Sequence, residues 1–170
     1  MELQDLYDAQ RRPLHKTHWR GQKKQPGEYS VAVAVWVVDS ARQLLLTLRA
    51  PEKEEYPNKW AFTVGAVLAG ENSLQAAVRE LAEETGIAAA PEEFIFFKSF
   101  REHSAFFDVY LLRRDVAVSA LTMQAGETVA AKWVSLPQLD AMVADGSLAL
   151  PDGWRLAQVR GEFEAWLSTL

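Results

Sequence analysis

Cysteine is absent from this sequence, and its absence excludes several kinds of chemistry. None of the 170 residues is a cysteine, so the chain has no disulfide, no thiolate nucleophile and no cysteine-ligated zinc site. A protein without disulfides is compatible with the reducing environment of the cytoplasm. We therefore expect a cytoplasmic protein.

Excess basic charge and long apolar runs are missing as well. Eighteen Lys and Arg residues against 23 Asp and Glu residues give a formal net charge of −5, which predicts no general attraction to nucleic acid or to an anionic membrane. No apolar run approaches the length that spans a bilayer. The opening Met-Glu-Leu-Gln-Asp is acidic and lacks the apolar stretch of a signal peptide. We expect neither nucleic acid nor a membrane as a partner.

Short apolar runs predict strands on both sides of one helical segment. Residues 29–38 are apolar at almost every position and rich in valine, which is typical of a central strand buried on both faces. The turn at residues 39–43 makes residues 44–49 a plausible hairpin partner. Further strands are predicted at residues 60–64, 94–100, 106–112 and 129–135, a short helix at 136–143 and an amphipathic helix at 152–170.

These elements predict a single α/β domain. Strands that come first, a helix in the middle and a helix at the end favour an α/β/α sandwich around a central mixed β-sheet. A chain of 170 residues with 49% hydrophobic residues is long enough to bury one core. We assign residues 1–170 to one domain, with residues 1–28 as an N-terminal extension and residues 152–170 as a C-terminal helix.

The most informative feature is a 23-residue stretch at residues 65–87. It follows the pattern G-x5-E-x7-R-E-U-x-E-E-x-G-U, in which U is aliphatic. The specified residues are Gly65, Glu71, Arg79, Glu80, Glu83, Glu84 and Gly86. Residues at these positions, each with a background frequency of roughly 5–9%, coincide by accident far less than about once in a million windows. The pattern therefore indicates a functional site.

The second half of this stretch has the periodicity of an amphipathic helix. Its apolar stripe consists of Leu74, Ala77, Val78 and Leu81. Asn72 or Ser73 can cap the start of the helix, and Gln75 would complete a capping box with Asn72. Gly86 suits the left-handed position after the last turn. We expect a helix that ends just before Gly86.

Three carboxylates lie close together on this predicted helix. At about 100° per residue, Glu80, Glu83 and Glu84 fall within an arc of roughly 100°. Like charges at this spacing repel each other by a few tenths of a kcal/mol per pair. Divalent cations that prefer oxygen ligands, Mg²⁺ or Mn²⁺, are the natural counter-charge. The alternative is an ordinary helix face whose glutamates are solvated. This interpretation is weaker, because the other specified residues of the pattern are also present.

The stretch at residues 65–87 resembles the signature box of the Nudix hydrolases, enzymes that cut a diphosphate linkage in a nucleoside diphosphate joined to another group. The resemblance implies the Nudix fold and a Mg²⁺ or Mn²⁺ cofactor bound by Glu80, Glu83 and Glu84. It also implies that Glu83 and Glu84 take part in catalysis, although the residue that acts as the general base varies among Nudix enzymes.

The same resemblance implies supporting roles for other residues of the stretch. Glu71 is expected near the metal, brought there by a loop that turns tightly at Gly65 and Gly70. Arg79 is expected to pair with a neighbouring carboxylate and to hold the loop against the helix, a role that suits its planar guanidinium. Gly86 is expected to end the helix.

Two residues outside the stretch are candidates for the same site. Glu127 precedes Trp133 by six residues, in a segment similar to the one from which many Nudix enzymes supply an extra catalytic carboxylate. It is equally compatible with a turn residue after Gly126. Arg49 ends a predicted strand and can clamp a phosphate of the substrate, or it can form an ordinary strand-end salt bridge.

Histidines and tryptophans carry weaker signals. His15 and His18 lie in a basic segment that could bind metal or phosphate, but a solvated segment is the favoured interpretation. His103 lies between two predicted strands, and we favour a hairpin turn over a substrate contact. Core positions are expected for Trp36, Trp60 and Trp133.

Outside the signature stretch, the sequence is similar to the isopentenyl-diphosphate-isomerase-like branch of the Nudix superfamily. The similarity rests on Leu6-Tyr7-Asp8, His15-Lys16-Thr17, Arg20-Gly21, Gly27-Glu28-Tyr29 and residues 45–49 and 57–60. True isomerases place a catalytic Cys just before the first glycine of the box and a metal-binding His just after it. Val64 and Ala66 stand at those places here, and neither can donate a proton or bind metal.

The predicted function is therefore metal-dependent hydrolysis of a diphosphate linkage in a nucleoside diphosphate derivative or a similar organic diphosphate. One alternative is an isopentenyl-diphosphate-isomerase-like enzyme. Another is a Nudix domain that binds a nucleotide or metabolite without cleaving it. The expected partner is a small-molecule diphosphate substrate. The sequence leaves the identity of that substrate and the oligomeric state open, a homodimer included.

Overall fold

The computed structural model describes residues 2–170 of the chain. The strands in that range are β1 (Leu3–Tyr7), β2 (Pro13–Trp19), β3 (Ser30–Val38), β4 (Leu44–Arg49), β5 (Trp60–Ala61), β6 (Thr63–Ala66), β7 (Ile95–Glu102), β8 (Ala105–Arg113) and β9 (Thr128–Val134). The α-helices are α1 (Ser73–Thr85), α2 (Leu136–Ala144) and α3 (Leu150–Leu167). No helix among these residues combines the length and the hydropathy needed to cross a membrane.

The central sheet contains parallel and antiparallel pairs. Its main order is β5-β4-β3-β8-β7, with β6 paired to β3 and β9 paired to β4. β3 and β8 run parallel from Ser30 beside Ala105 to Val38 beside Arg113, whereas the other pairs in this sheet are antiparallel. The prediction of an α/β fold with a mixed central sheet is therefore confirmed. The strands predicted at residues 94–100 and 106–112 correspond to the antiparallel hairpin of β7 and β8.

The predicted hairpin of residues 29–38 and 44–49 is only partly correct. A turn does join β3 to β4, but the register of the two strands pairs just Val38 with Leu44. β6 takes part of the same edge of β3. β4 therefore leaves β3 after the turn and runs antiparallel to β9 along most of its length.

Two predicted boundaries also shift. The segment at residues 60–64 forms two short strands, β5 and β6, which are separated at Phe62. The Phe62 N–H donates to Asp152 Oδ2 at 3.1 Å instead of to a neighbouring strand. α3 begins at Leu150, two residues before the predicted start, with Pro151 in its first turn, where the missing N–H of proline costs no helical hydrogen bond.

β3 is buried on both faces and separates two apolar cores. Alternate side chains of a strand point to opposite faces of the sheet, so Trp36 and its even-numbered neighbours face α2 and α3, while the intervening valines face α1. The Trp36 ring packs on Phe62 and Phe163, with centroids 5.0 and 5.1 Å away. Trp36 is thus a core residue, as predicted, whereas Trp60 and Trp133 are half-buried and pack against the edges of the two cores.

The residues before β3 are more ordered than a solvated basic segment. β1 and β2 form an antiparallel hairpin, in which Gln4 and Leu6 are 6% and 4% exposed. His18 Nε2 lies 2.9 Å from Gln4 Oε1, whereas His15 is exposed. The prediction of a solvated basic segment is therefore correct at His15 and at most of the lysine and arginine side chains around it, and wrong at His18 and Lys24, which are half-buried.

An ion pair fastens the hairpin to the central sheet. Arg11 Nη1 donates to Asp108 Oδ1 at 2.7 Å and to Ser99 Oγ at 3.1 Å, and Arg11 Nη2 pairs with the other Asp108 oxygen. The Asp108 side chain is 1% exposed and that of Arg11 is 34% exposed. Burial acts to raise the pKa of Asp108, but side-chain hydrogen bonds from Arg11, Ser73 and Ser99 outweigh burial and lower the pKa.

We expect Arg11→Met to lower the free energy of unfolding by about 2–3 kcal/mol at neutral pH, because it leaves a buried carboxylate without its cation. The loss is smaller than for a fully buried pair, because Arg11 is partly exposed and solvent screens its charge. The folded-state pKa of Asp108 lies below its unfolded value, so the pair stabilises the protein at higher pH and this stabilisation is lost as pH falls. In the variant the folded-state pKa rises. The stability gap between wild type and variant should therefore narrow as the pH is lowered towards 4.

Urea unfolding at several pH values measures this gap. The control is Arg12→Met, which removes an exposed arginine of the same hairpin that pairs with Asp8 and should change stability by less than about 0.5 kcal/mol. An equal loss in both variants, independent of pH, would contradict the role given to Arg11.

Candidate active site

Helix α1 has the ends that its sequence predicts. The Asn72 side chain accepts from the Gln75 N–H, and the Gln75 side chain accepts from the Asn72 N–H, both at 2.9 Å. At the other end Gly86 has a φ of 74°, a left-handed conformation that glycine adopts at little cost. Because both ends are fixed, the directions of the three glutamates on α1 are fixed as well.

Gly65 brings the backbone of β6 into contact with α1. A Cβ atom at this position would lie 1.8 Å from Glu80 Cδ, far inside van der Waals contact. Gly65 lies within β6 and not in a turn, so the predicted turning role is wrong for this residue, whereas Gly70, with a φ of 81°, does turn the chain. The glycine is needed at position 65 because any side chain would displace Glu80.

Arg79 joins the loop, the strand and the helix of the site. Its Nε and Nη2 donate to the two carboxylate oxygens of Glu71, both at 2.9 Å. Its Nη1 donates to Glu80 Oε1 at 2.7 Å and to Glu83 Oε2 at 3.1 Å, and Nη2 also reaches the Ala66 carbonyl at 2.8 Å. Hydrogen bonds to Glu71, followed by those to Glu80, raise the pKa of Arg79.

The three glutamates of α1 differ in exposure. Glu80 and Glu84 are 8% and 6% exposed, whereas the Glu83 side chain is 45% exposed. Burial raises the pKa of Glu84 to about 8, and the charge of Glu80 adds to the effect. Burial also raises the pKa of Glu80, although Arg79 opposes the shift. Two carboxylates are thus held where a cation would stabilise their charged forms.

The arrangement offers oxygen donors to a hard cation, although the carboxylates of Glu80 and Glu83 are turned towards Arg79. Within residues 2–170, no three acidic or histidine side chains converge closely enough to form a preformed metal cage. Glu80 and Glu83 share Arg79 Nη1. The site nevertheless fits a divalent metal that prefers oxygen ligands. It has two buried carboxylates, a third carboxylate on the same helix, and a glycine that leaves room for Glu80.

A cleft of about 220 Å³ lies beside these glutamates. Its wall includes Glu80, Glu83, Glu84, Gly65, Arg49 and Glu127. Arg49 Nε donates to the Glu55 carbonyl at 2.9 Å, which orients the guanidinium, so a strand-end salt bridge is not what holds Arg49 in place. Glu127 forms an ion pair with Lys53 at the rim. The structure therefore brings together most of the residues predicted for the site.

Other predicted residues lie elsewhere. Glu71 does not line the cleft, because Arg79 and the Leu68 N–H occupy its carboxylate oxygens. His103 lies in the turn between β7 and β8 with a φ of 47°, in keeping with the favoured hairpin interpretation. Neither His15 nor His18 lines the cleft.

Several residues of the cleft were not identified from the sequence. They are Glu2, Gln4, Arg20, Ser30, Ala32, Lys53, Glu55, Ala105, Phe107 and Gln124. Three of them come from the β1–β2 hairpin and its flanks. Residues of Leu3–Tyr7 alternate between inward and outward positions, and this pattern could have predicted that the hairpin packs against the rest of the protein. No sequence signal identifies the others, because long-range pairing brings them to the cleft.

Comparison with known proteins identifies the family. The sequence model of the NUDIX domain family matches residues 28–152. The chain belongs to the Nudix family. It is 36% identical over 147 residues to an uncharacterised Nudix hydrolase of Listeria monocytogenes, across 86% of this chain and 87% of that one. The protein is thus a Nudix hydrolase, a member of a family of pyrophosphohydrolases.

Solved structures confirm the fold. A Deinococcus radiodurans protein superposes with a TM-score of 0.72 at 24% identity, over 87% of this chain and 92% of that one. A bifunctional NMN adenylyltransferase/ADP ribose pyrophosphatase from Francisella tularensis, complexed with AMP and a Mn ion, superposes with a TM-score of 0.63 at 22% identity, over 78% of this chain and 41% of that one. At these identities the likeness establishes the Nudix fold alone. The similarity to the isopentenyl-diphosphate-isomerase-like branch stays a prediction.

We expect Gly65→Ala to lower the free energy of unfolding by about 1–3 kcal/mol, because the new methyl group overlaps the Glu80 side chain and forces it aside. The matched control is Gly161→Ala in α3, where an added Cβ meets nothing within 4 Å and should be neutral or stabilising by up to about 1 kcal/mol. Denaturant unfolding measures both. Equal stability of Gly65→Ala and wild type would show that the close approach is not a constraint.

Proposed function

We propose that this Nudix hydrolase cleaves a diphosphate linkage in a nucleoside diphosphate derivative or a similar organic diphosphate, with Mg²⁺ or Mn²⁺ as its cofactor. One observation supports the proposal above the others. Two buried glutamates and a third, exposed glutamate of α1 open onto a cleft whose wall also holds Arg49. Carboxylates for a metal and a guanidinium for a phosphate thus meet in one place. Residues 1–170 act as a single domain in this proposal.

Glu80, Glu83 and Glu84 are the proposed metal ligands. Glu71 is proposed as an additional ligand that must first exchange its hydrogen bonds to Arg79. Bound Mg²⁺ or Mn²⁺ would offset the charge of the diphosphate oxygens and polarise the phosphorus–oxygen bond. Arg79, released in part from these glutamates, would still donate to the Ala66 carbonyl and so keep β6 beside the helix.

The remaining steps fall to side chains at the cleft. Glu83, Glu84 or Glu127 would accept the proton of the attacking water, and Glu127 would do so from the rim, where it now pairs with Lys53. The Arg49 guanidinium, fixed through its Nε, would hold a phosphate of the substrate by its planar fork. An enzyme that positions water and diphosphate in this way needs no covalent intermediate.

Two alternatives predict different behaviour. A domain that binds without cleaving requires no intact set of glutamates, whereas Glu80, Glu83 and Glu84 are all present here. An isomerase needs groups to add and remove protons across a double bond. Val64 and Ala66 line the cleft beside Glu80, and neither offers such a group. Both observations favour hydrolysis.

We expect Glu83→Gln and Glu84→Gln each to lower kcat on a cleaved substrate by about 100-fold or more, because each removes a charge that supports the metal in the transition state. The assay measures phosphate release from a panel of diphosphate compounds with Mg²⁺, and again with EDTA. Glu162→Gln, at an exposed glutamate of α3 that pairs with Lys98, is the control and should keep full activity. Unchanged rates in both site variants would contradict the assignment.

Metal binding should also be visible without a substrate. We expect millimolar Mg²⁺ or Mn²⁺ to raise the Tm, since an ion that binds only the folded state stabilises it by mass action, by about 2.7 kcal/mol at a hundredfold excess over its Kd. The double variant Glu83→Gln with Glu84→Gln should lose most of this response. A Tm that ignores both cations would mean that the three glutamates form an ordinary polar face.

A further inference from the structure

Arg155 forms a buried ion cluster that the proposed chemistry does not use. Its Nε and Nη2 donate to the two carboxylate oxygens of Glu102 at 2.6 and 2.9 Å, and its Nη1 donates to Asp152 Oδ1 at 3.1 Å. The side chains of Arg155 and Asp152 are each 3% exposed, and that of Glu102 is 15% exposed. The cluster joins the end of β7 to the first turns of α3.

The flat face of this guanidinium lies on the ring of Phe107. The Arg155 Cζ is 3.8 Å from the centroid of the ring, well within the range of a cation–π contact. Phe107 itself is half-buried in β8 and lines the cleft together with Ala32, Val64 and Ala105. Arg155 therefore supports the apolar side of the cleft from within the protein.

The cleft also continues past this ring. A smaller recess of about 90 Å³ shares Arg49, Glu55, Val64 and Phe107 with the cleft. Its far wall is formed by Tyr56, Ala61, Ala149, Pro151, Asp152 and Arg155. From a diphosphate between the α1 glutamates and Arg49, the cleft leads to two recesses, this one along Phe107 and one of about 520 Å³ lined mostly by charged side chains. An organic group with apolar surface fits the recess along Phe107 better, because it would leave the charged side chains of the other recess in water.

Stability alone does not account for such a cluster. Burying a guanidinium and two carboxylates carries a large desolvation cost, and replacing buried ion pairs with apolar residues is often neutral or stabilising. What the cluster does provide is geometry, because the guanidinium fork allows one orientation against Glu102 and presents its flat face to Phe107. A lysine would keep the charge and lose both features.

We infer that Arg155 is a positioning residue for the organic group of the substrate, which it serves by holding the Phe107 ring in place as the apolar wall of the cleft. The inference rests on the proposed function, since it requires a diphosphate substrate that carries an organic group. It assigns no proton transfer and no metal contact to Arg155.

The test compares Arg155→Lys with Arg160→Lys. Arg160 lies on the same helix and also makes a two-pronged ion pair, with Asp140, but at the surface. On any cleaved organic diphosphate, Arg155→Lys should raise KM by about fivefold or more and change kcat by less than about twofold, because uniform binding is lost and chemistry is not. Arg160→Lys should change neither. Inhibition by inorganic pyrophosphate, which has no organic group, should be the same in all three proteins.

A double-mutant cycle with Phe107→Leu decides whether Arg155 acts through the ring. If it does, Phe107→Leu should raise KM by itself, and adding Arg155→Lys should raise it little further. A full, independent effect of Arg155→Lys in the Phe107→Leu background would overturn the inference. So would a loss of kcat at unchanged KM. Should Arg155→Lys fail to fold, Glu102→Gln loosens the guanidinium more gently and should shift KM in the same direction.

A spectroscopic readout separates this inference from the proposed function. With ring-labelled phenylalanine, Arg155→Lys should move and average the NMR signals of Phe107, assigned through Phe107→Leu, whereas Arg160→Lys should leave them in place. If no diphosphate compound is cleaved but the ring signals respond, the proposed function fails and the Arg155–Phe107 contact stands. If the ring signals ignore Arg155→Lys, the inference fails whatever the enzyme cleaves.

Discussion

The contact between β6 and α1 is the constraint on which the site depends. Glycine at position 65 lets the Glu80 carboxylate lie against the backbone of the strand, and Arg79 then bridges Glu71, Glu80 and Glu83 from the helix. Without the close approach the strand would move outward, and the Ala66 carbonyl would lose its hydrogen bond to Arg79. The carboxylates are thus placed by a steric fit, and their mutual repulsion is then relieved by one cation.

At three places around the central sheet, an arginine side chain joins two elements of the fold. Arg79 fixes the metal-binding candidates, Arg11 fastens the N-terminal hairpin to Asp108, and Arg155 joins β7 to α3 beneath Phe107. In each case a planar fork spans two elements that have no common backbone hydrogen bonds at that point. Such pairs contribute less net stability than their number suggests. Their effect is to fix the positions of elements whose side chains line the cleft.

Local features of this fold follow from the sequence, because they depend on neighbours within a few residues. The capping box of Asn72 and Gln75, the left-handed Gly86 and the valine-rich β3 are examples. The stretch from Gly65 to Ile87 also identified the family and its candidate ligands. The role of Gly65 does not follow from the sequence, however, because a glycine in a motif indicates either a turn or a close approach, and only the position of Glu80 distinguishes the two.

Distant contacts are what the sequence does not reveal. Arg11 and Asp108 are 97 residues apart, Phe62 and Asp152 are 90 apart, and Lys53 and Glu127 are 74 apart. No periodicity links such positions, and an isolated arginine has the same appearance whether it is solvated or buried. The two halves of the cleft therefore differ in how they are encoded. The glutamates of the half proposed for the metal lie in one continuous stretch, residues 65–87, which a family can share, and Arg49 and Glu127 join them from outside it. The half proposed for the organic group is assembled from scattered residues such as Phe107 and Arg155, which is why the reaction class could be inferred from this sequence and the substrate could not.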